Sequence, residues 1–273
     1  MALPAFDLLR PETVPEATEL LTDLGDDAVF YMGGTELLLV MKYGFAEPRY
    51  LVDGKRLADL RTLEMRGTTL RIGAGVTHRE IEDSDLVREV LPALADLERR
   101  IANIRVRNAG TLGGNLCFGE PHSDPATLLI ALDATVELVS ASGVRSVPLD
   151  DFLVGALQTD LHPGEIMTAI DIPVPSSETR VAFERIKFRE RPVVNVGIAH
   201  GRDTSRLVVG AISARAQRIP EAESMLAAGG QATEVAAAVS NAVDPTPDVE
   251  GSVEYKRHLA GVVTRRALAS VGI

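Results

Sequence analysis

The 273-residue chain has one cysteine, no tryptophan and only 4% aromatic residues. The single cysteine, Cys117, excludes an internal disulfide framework and any self-contained cysteine-ligated metal or iron–sulfur site, and leaves it the role of a buried structural thiol. The five histidines (His78, His122, His162, His200 and His258) lack the short spacings of metal ligands. Few rings means little surface on which to stack exposed bases, and a formal net charge of −11 disfavours nucleic acid and anionic membranes as partners. No run approaches the roughly 18 apolar residues of a membrane span. The opening Met-Ala-Leu-Pro-Ala-Phe-Asp shows neither a charged n-region nor an apolar h-region, so the expectation is a cytoplasmic protein without a signal peptide. The common nucleotide signatures are missing too. Gly73-Ala74-Gly75 opens like G-x-G-x-x-G, but His78 holds the sixth position, and no G-x-x-x-x-G-K-[ST] occurs. No Ser/His/Asp arrangement, paired carboxylates or activated cysteine stands out for acid–base or nucleophilic work.

What is present is a 45% apolar, globular composition and two glycine-rich turns: Met32-Gly33-Gly34-Thr35-Glu36 and Gly110-Thr111-Leu112-Gly113-Gly114-Asn115. The first joins the apolar run Val29–Met32 to a helical run Leu37–Lys42; the second precedes Pro121-His122-Ser123-Asp124-Pro125 and a helix over 125–132. Glycine turns at helix N-termini can aim bare N–H groups at an anion, and two such clamps suit a diphosphate, hence a dinucleotide. A clamp without catalytic residues leaves the chemistry to the cofactor.

The flanking pattern is α+β. Thr13-Val14-Pro15-Glu16 and Thr77-His78-Arg79-Glu80 read as capping boxes. Strands are expected at 29–32, 50–53, 70–74, 166–172, 193–199 and 207–214, with a hairpin turning at Ser142-Gly143. Helices are expected from Pro92 to about Ile104, over 220–228 and 233–243, and from Ser252, the last with Tyr255, Leu259, Val262 and Val263 as its apolar stripe. Pro173-Val174-Pro175-Ser176-Ser177 reads as a linker, placing a boundary near residue 174. Asp124 reads equally as an N-cap or a ligand contact, and Thr35 as an N-cap or a phosphate donor. Glu36 reads as solvated or backbone-bonded. Arg105, Arg107, Arg185, Lys187, Arg189 and Arg191 are the basic positions of interest.

These motifs resemble, end to end, the FAD-binding medium subunit of the molybdenum hydroxylases, the family of aerobic carbon monoxide dehydrogenase and xanthine dehydrogenase. The resemblance rests on Phe6-Asp7 with Arg10-Pro11, Met32–Leu37 with Met41-Lys42, Arg107–Leu116, and Ser123-Asp124-Pro125. Pro163–Ile166, Ile170–Pro173 and Tyr255–Ala260 extend it to the C-terminus. It implies a vanillyl-alcohol-oxidase (PCMH-type) FAD-binding domain over 1–173, with two α+β subdomains at about 1–54 and 55–173. A smaller α+β domain over 174–273, of the carbon monoxide dehydrogenase flavoprotein type, would follow. By position it implies non-covalent FAD held by Tyr31, Met32, Gly33, Gly34, Thr35, Glu36, Leu37, Gly110, Thr111, Leu112, Gly113, Gly114 and Asn115. Ile101 and Ala102 would border the isoalloxazine, Asp124 would lie near the ribityl or diphosphate region, and Met167 and Arg185 would be further contacts. Arg185 stands where lysine is usual, and Pro192 where an acidic residue is common. The cysteine-rich insertion of the aromatic acyl-CoA-reducing relatives is absent. The implied activity is electron relay. A [2Fe–2S] small subunit would deliver electrons from a molybdenum-cofactor large subunit, and FAD would pass them to NAD⁺ or another acceptor, in a dimer of heterotrimers. Two rivals are a stand-alone flavoprotein oxidoreductase of the same fold, which needs an acid or base over the flavin, and a non-catalytic nucleotide-binding subunit.

Overall fold

Thr13 starts the first helix: its hydroxyl accepts the Glu16 N–H, and Val14–Leu24 follow as a helix that Gly25 ends at φ 52°. The Glu16 carboxylate accepts from the Glu12 N–H instead of closing the expected box on Thr13. This helix packs on a three-stranded parallel sheet in which Tyr50–Asp53 lies between Asp7–Leu9 and Ala28–Tyr31. In the computed structural model, which describes residues 2–273, that unit leads into a larger one.

The second unit is a five-stranded antiparallel sheet in the order Leu63–Arg66, Thr69–Gly73, Ile166–Pro173, Thr135–Ser140, Gly143–Pro148. Leu70, Ile72, Val136, Leu138, Ile170 and Ile172 share its buried face. They pack against the helices running from His78–Asp83 to Asp124–Ala131. The third unit is an antiparallel sheet of Arg180–Lys187, Pro192–His200, Ser205–Gly210 and Gln217–Arg218. Pro220–Ala227, Ala232–Ala242 and Val253–Ser270 close its own core. The Asp124–Ala131 helix belongs to both larger units. Every one of its residues is buried, as an all-round apolar helix must be. Gly197 and Gly210 let the third sheet approach its Thr127.

Four expectations are corrected. The helix expected over 92–104 stops at Arg99, because Ala102 turns left-handed (φ 37°) and the Asn103 carboxamide caps a separate helix, Ile104–Ala109. Ile104, at the end of the expected helix, is exposed. The second glycine motif is no turn: Leu112–Phe118 is a helix capped by Thr111. Two adjacent glycines, each disfavoured in a helix by about 1 kcal/mol, hide it from the sequence pattern. The strand expected over 207–214 ends at Gly210, and Tyr255 is exposed rather than part of the last helix's apolar stripe.

Candidate flavin site

The strand Ala28–Tyr31 delivers Met32 and Gly33 to the mouth of a cleft, and the chain then enters the helix Leu37–Lys42. Gly34 makes the turn at φ 68°, in the region that favours glycine. Helix bonding starts late: the Leu38 N–H donates to the Gly34 carbonyl at 3.0 Å, and the Leu39 and Val40 N–H groups to Glu36 at 3.0 and 2.9 Å. The N–H groups of Gly33, Gly34, Thr35 and Glu36 donate to no group among the described residues. Glu36, not Thr35, holds the N-cap position, and its side chain makes no cap bond. The Thr35 hydroxyl is bonded to none of the described residues either. In its unpaired donors this turn is what an anion-binding clamp requires.

The second motif is not. The Leu112 N–H donates to the Val76 carbonyl at 3.0 Å and that of Gly113 to Ala74 at 3.1 Å. Those of Gly114 and Asn115 go to the Thr111 hydroxyl and carbonyl, at 3.0 and 2.9 Å. With these donors spent inside the protein, its glycines act through close packing. A Cβ on Gly113 would overlap Ala74, and one on Gly33 would overlap the Ala109 carbonyl and stand 2.7 Å from the Gly110 Cα. Gly110 lies beside the Thr35 hydroxyl, where an added Cβ would sit at 3.2 Å. The two motifs are therefore pressed together, one supplying donors and the other the wall behind them.

The cleft they share has a volume of about 580 Å³ and is lined by Tyr31, Met32, Gly33, Asn108, Ala109 and Thr111, together with Lys55, Arg61, Gly75, Thr77, Arg79 and Glu80. That size is usual for a small-molecule site, about 300–1,000 Å³. The second group of residues was missed from sequence. Their signals were present in Gly73-Ala74-Gly75 and the Thr77–Glu80 capping box, which does form, but these were read as local structure. The Lys55 ammonium lies 3.7 Å from the Tyr31 ring centroid. Four of the expected positions do not line this cleft. Leu112, Ile101 and Met167 are buried in the main core, Met167 with its sulfur 4.0 Å from Cys117, and Ala102 is an exposed loop residue. Burial pushes the Cys117 thiol up to about 12, which suits a structural thiol.

Asp124 is the first residue of its helix, with Ser123 at the N-cap position, so the cap reading does not hold. Its carboxylate pairs with Arg185 and accepts from Asn195 Nδ2 at 2.9 Å; the Asn195 side-chain Oδ1 accepts from the Thr127 hydroxyl at 2.8 Å. Arg185 also donates to the Arg100 carbonyl at 2.6 Å. Burial, helped by the charge of Arg100, holds the Arg185 pKa below its ordinary value. Asp124 and Arg185, foreseen as two separate contacts, are one buried pair spanning the second and third units. Arg107 is structural, bonding Glu82 and the Ile101 carbonyl, both at 2.9 Å.

Glu36 meets Arg191, whose guanidinium also pairs with Glu120. Burial raises the Glu36 pKa against the pull of Arg191. Glu120 shows the reverse: burial raises it, but His122 and Arg191 overcome this and bring it down to about 2. In the unfolded chain it titrates near the usual carboxylate value, so its contribution to stability is complete above pH ~5 and is lost as the pH falls toward 2. We expect Glu120→Gln to flatten that part of the stability–pH curve by about 1 kcal/mol, because solvent screens its partly exposed partners, read from urea unfolding at pH 3, 4 and 6. Parallel curves for wild type and variant would contradict it. Among the described residues no cluster of three or more His, Cys, Asp or Glu side chains could hold a metal ion, and no helix is long and apolar enough to cross a membrane.

Comparison with known proteins identifies the family. Residues 4–175 match the FAD binding domain in molybdopterin dehydrogenase, and residues 193–271 the CO dehydrogenase flavoprotein C-terminal domain. The chain belongs to the family of FAD-binding subunits of the molybdenum hydroxylases. The carbon monoxide dehydrogenase medium chain of Hydrogenophaga pseudoflava is 34% identical, over 98% of this chain and 97% of its own length. The nicotine 6-hydroxylase medium subunit of Paenarthrobacter nicotinovorans is 32% identical, over 100% and 99%. Among solved structures, carbon monoxide dehydrogenase from H. pseudoflava superposes with a TM-score of 0.95 at 32% identity, covering 99% of this chain and 98% of that one. As a member of this family the chain is an oxidoreductase subunit whose cofactor is FAD. The residues present fit that group. Four N–H groups without protein partners stand in a row beside the cleft, and a side chain on Gly33 would collide with the cleft wall.

Proposed function

We propose that the chain is the FAD-carrying electron-transfer subunit of a molybdenum hydroxylase. It would take electrons from a [2Fe–2S] small subunit fed by a molybdenum-cofactor large subunit, and pass them to NAD⁺ or another acceptor. The observation that carries the reading is the free donor row of Gly33, Gly34, Thr35 and Glu36 at the head of the cleft. Those N–H groups and the Thr35 hydroxyl hold the FAD diphosphate, with Lys55 supplying positive charge across the cleft. Tyr31, Met32, Leu37 and Gly110–Asn115 complete the cofactor's surroundings, with the second motif acting as wall and spacer. Asp124 and Arg185 present their pair toward the flavin end, and Ile101 and Ala102 lie on the loop that borders it. FAD held there would supply both one-electron and two-electron chemistry. The chain's own residues bind it, orient it and shield it from water. We place the FAD-binding domain at 1–173, with subdomains at about 1–54 and 55–173, and the C-terminal domain at 174–273. We further propose a cytoplasmic dimer of heterotrimers; relatives named as medium chains and subunits of larger enzymes support a multi-subunit assembly.

Anaerobic addition of NADH to the purified, FAD-loaded chain tests the acceptor. Bleaching of the flavin absorbance is the expected result if a nicotinamide is the physiological partner. A flavin that dithionite reduces and NADH does not would point to another acceptor, such as a quinone or O₂, or to a missing partner subunit.

A further inference from the structure

The three structural units meet at one side chain. Arg191 lies in the connection between the strands Arg180–Lys187 and Pro192–His200. Its Nη1 pairs with Glu120, in the connection between the helices Leu112–Phe118 and Asp124–Ala131. Its Nη2 stands 3.4 Å from both carboxylate oxygens of Glu36, the last residue of the donor turn. Among the described residues this is the one side-chain hydrogen bond or ion pair that links the first 54 residues to the third unit. Arg191 is itself well anchored. Glu120 is bonded to the His122 ring at 2.9 Å and to its N–H at 3.3 Å. His122 faces Asp248 at 4.0 Å, and Asp248 is held at 2.7 Å by the buried Lys256 ammonium. A lone pair between half-exposed groups contributes little to stability, but a guanidinium shared by two carboxylates within such a chain of charges fixes geometry.

We propose that Arg191 is a positioning residue for the cofactor: by gripping Glu36 and Glu120 together it fixes the donor turn against the other two units and slows the escape of FAD. This rests on the reading that the 33–36 turn holds the diphosphate. The link lies outside the separate cores, so its loss acts mainly on retention and only weakly on folding.

The test uses the full chain loaded with FAD, and follows release of the flavin on dilution for wild type, Arg191→Ala, Arg191→Lys, Glu36→Gln and the Arg191→Ala/Glu36→Gln double variant. The expected result is release about fivefold faster for Arg191→Ala, with a smaller increase for Arg191→Lys and an apoprotein melting temperature close to wild type. The double variant should release FAD no faster than Arg191→Ala alone, since both changes cut the same link. If Arg191→Ala does not fold, Glu36→Gln against wild type reads the same link. Release at the wild-type rate, or additive effects in the double variant, would overturn the proposal. Failure of the wild-type chain to hold FAD at all would overturn the underlying diphosphate reading instead.

Discussion

Gly33→Ala is expected to leave the purified chain without FAD and to lower its melting temperature. The new Cβ would overlap the Ala109 carbonyl oxygen and sit 2.7 Å from the Gly110 Cα and 2.8 Å from the Ala109 carbonyl carbon. All three are backbone atoms, so no side-chain rotation relieves the clash. One of the two motifs must move, and the donor turn is the less buttressed, because its own N–H groups hold no protein partner. Overpacking of this kind costs about 1–3 kcal/mol, a fall of about 5 °C in a chain of this size. Displacing the donors should weaken FAD binding far more, so that FAD per chain after gel filtration falls close to zero. Gly114→Ala is the contrast. Its only close neighbour would be the Thr111 hydroxyl, 2.9 Å away, and alanine favours the helix it sits in. It should retain FAD. A Gly33→Ala chain with wild-type FAD content would show that the two motifs do not share the site.

Asp124→Ala is expected to destabilise the fold strongly, whether or not FAD is present. The Arg185 side chain is 8% exposed, and removal of its carboxylate strands a buried positive charge. Asn195 loses its 2.9 Å acceptor in the same step. Breaking one side of a buried ion pair costs about 3–5 kcal/mol, whereas replacing both partners by apolar residues is often nearly neutral. The double variant Asp124→Ala/Arg185→Leu should therefore recover much of the stability lost by Asp124→Ala alone, as measured by urea unfolding of the apoprotein. Its FAD affinity should not recover, because the pair proposed to face the flavin is gone. Equal stability of Asp124→Ala and wild type would mean that the carboxylate acts only on the ligand.

Both results turn on features that differ in how far they were legible from sequence. The donor turn was legible because every signal for it is local: an apolar strand, Gly33-Gly34, then a helical run. The second motif was located but misread. Sequence shows that glycines are present, but not whether they free a donor for a ligand or let another backbone approach. That depends on Ala74 and Val76, some forty residues earlier, which take the Gly113 and Leu112 N–H groups. The same limit applies to Asp124 and Arg185. Each was singled out, yet their pairing across 61 positions exists only because the Asp124–Ala131 helix lies against the third sheet. The family resemblance named the fold and the cofactor, while Lys55, Arg61, Arg79 and the Arg191 grip came from the assembled structure alone. Met167 and Leu112, placed at the ligand by positional transfer, have side chains that the fold buries in its core, a burial that local sequence does not show.

The central claim, that the cleft beside the 33–36 turn holds FAD for electron relay, is tested most directly by the visible spectrum of the purified chain before and after denaturation. We predict a flavin spectrum at close to one FAD per chain, with all of the chromophore released into solution on unfolding. A chain that shows no flavin absorbance, even after incubation with excess FAD, would contradict the account.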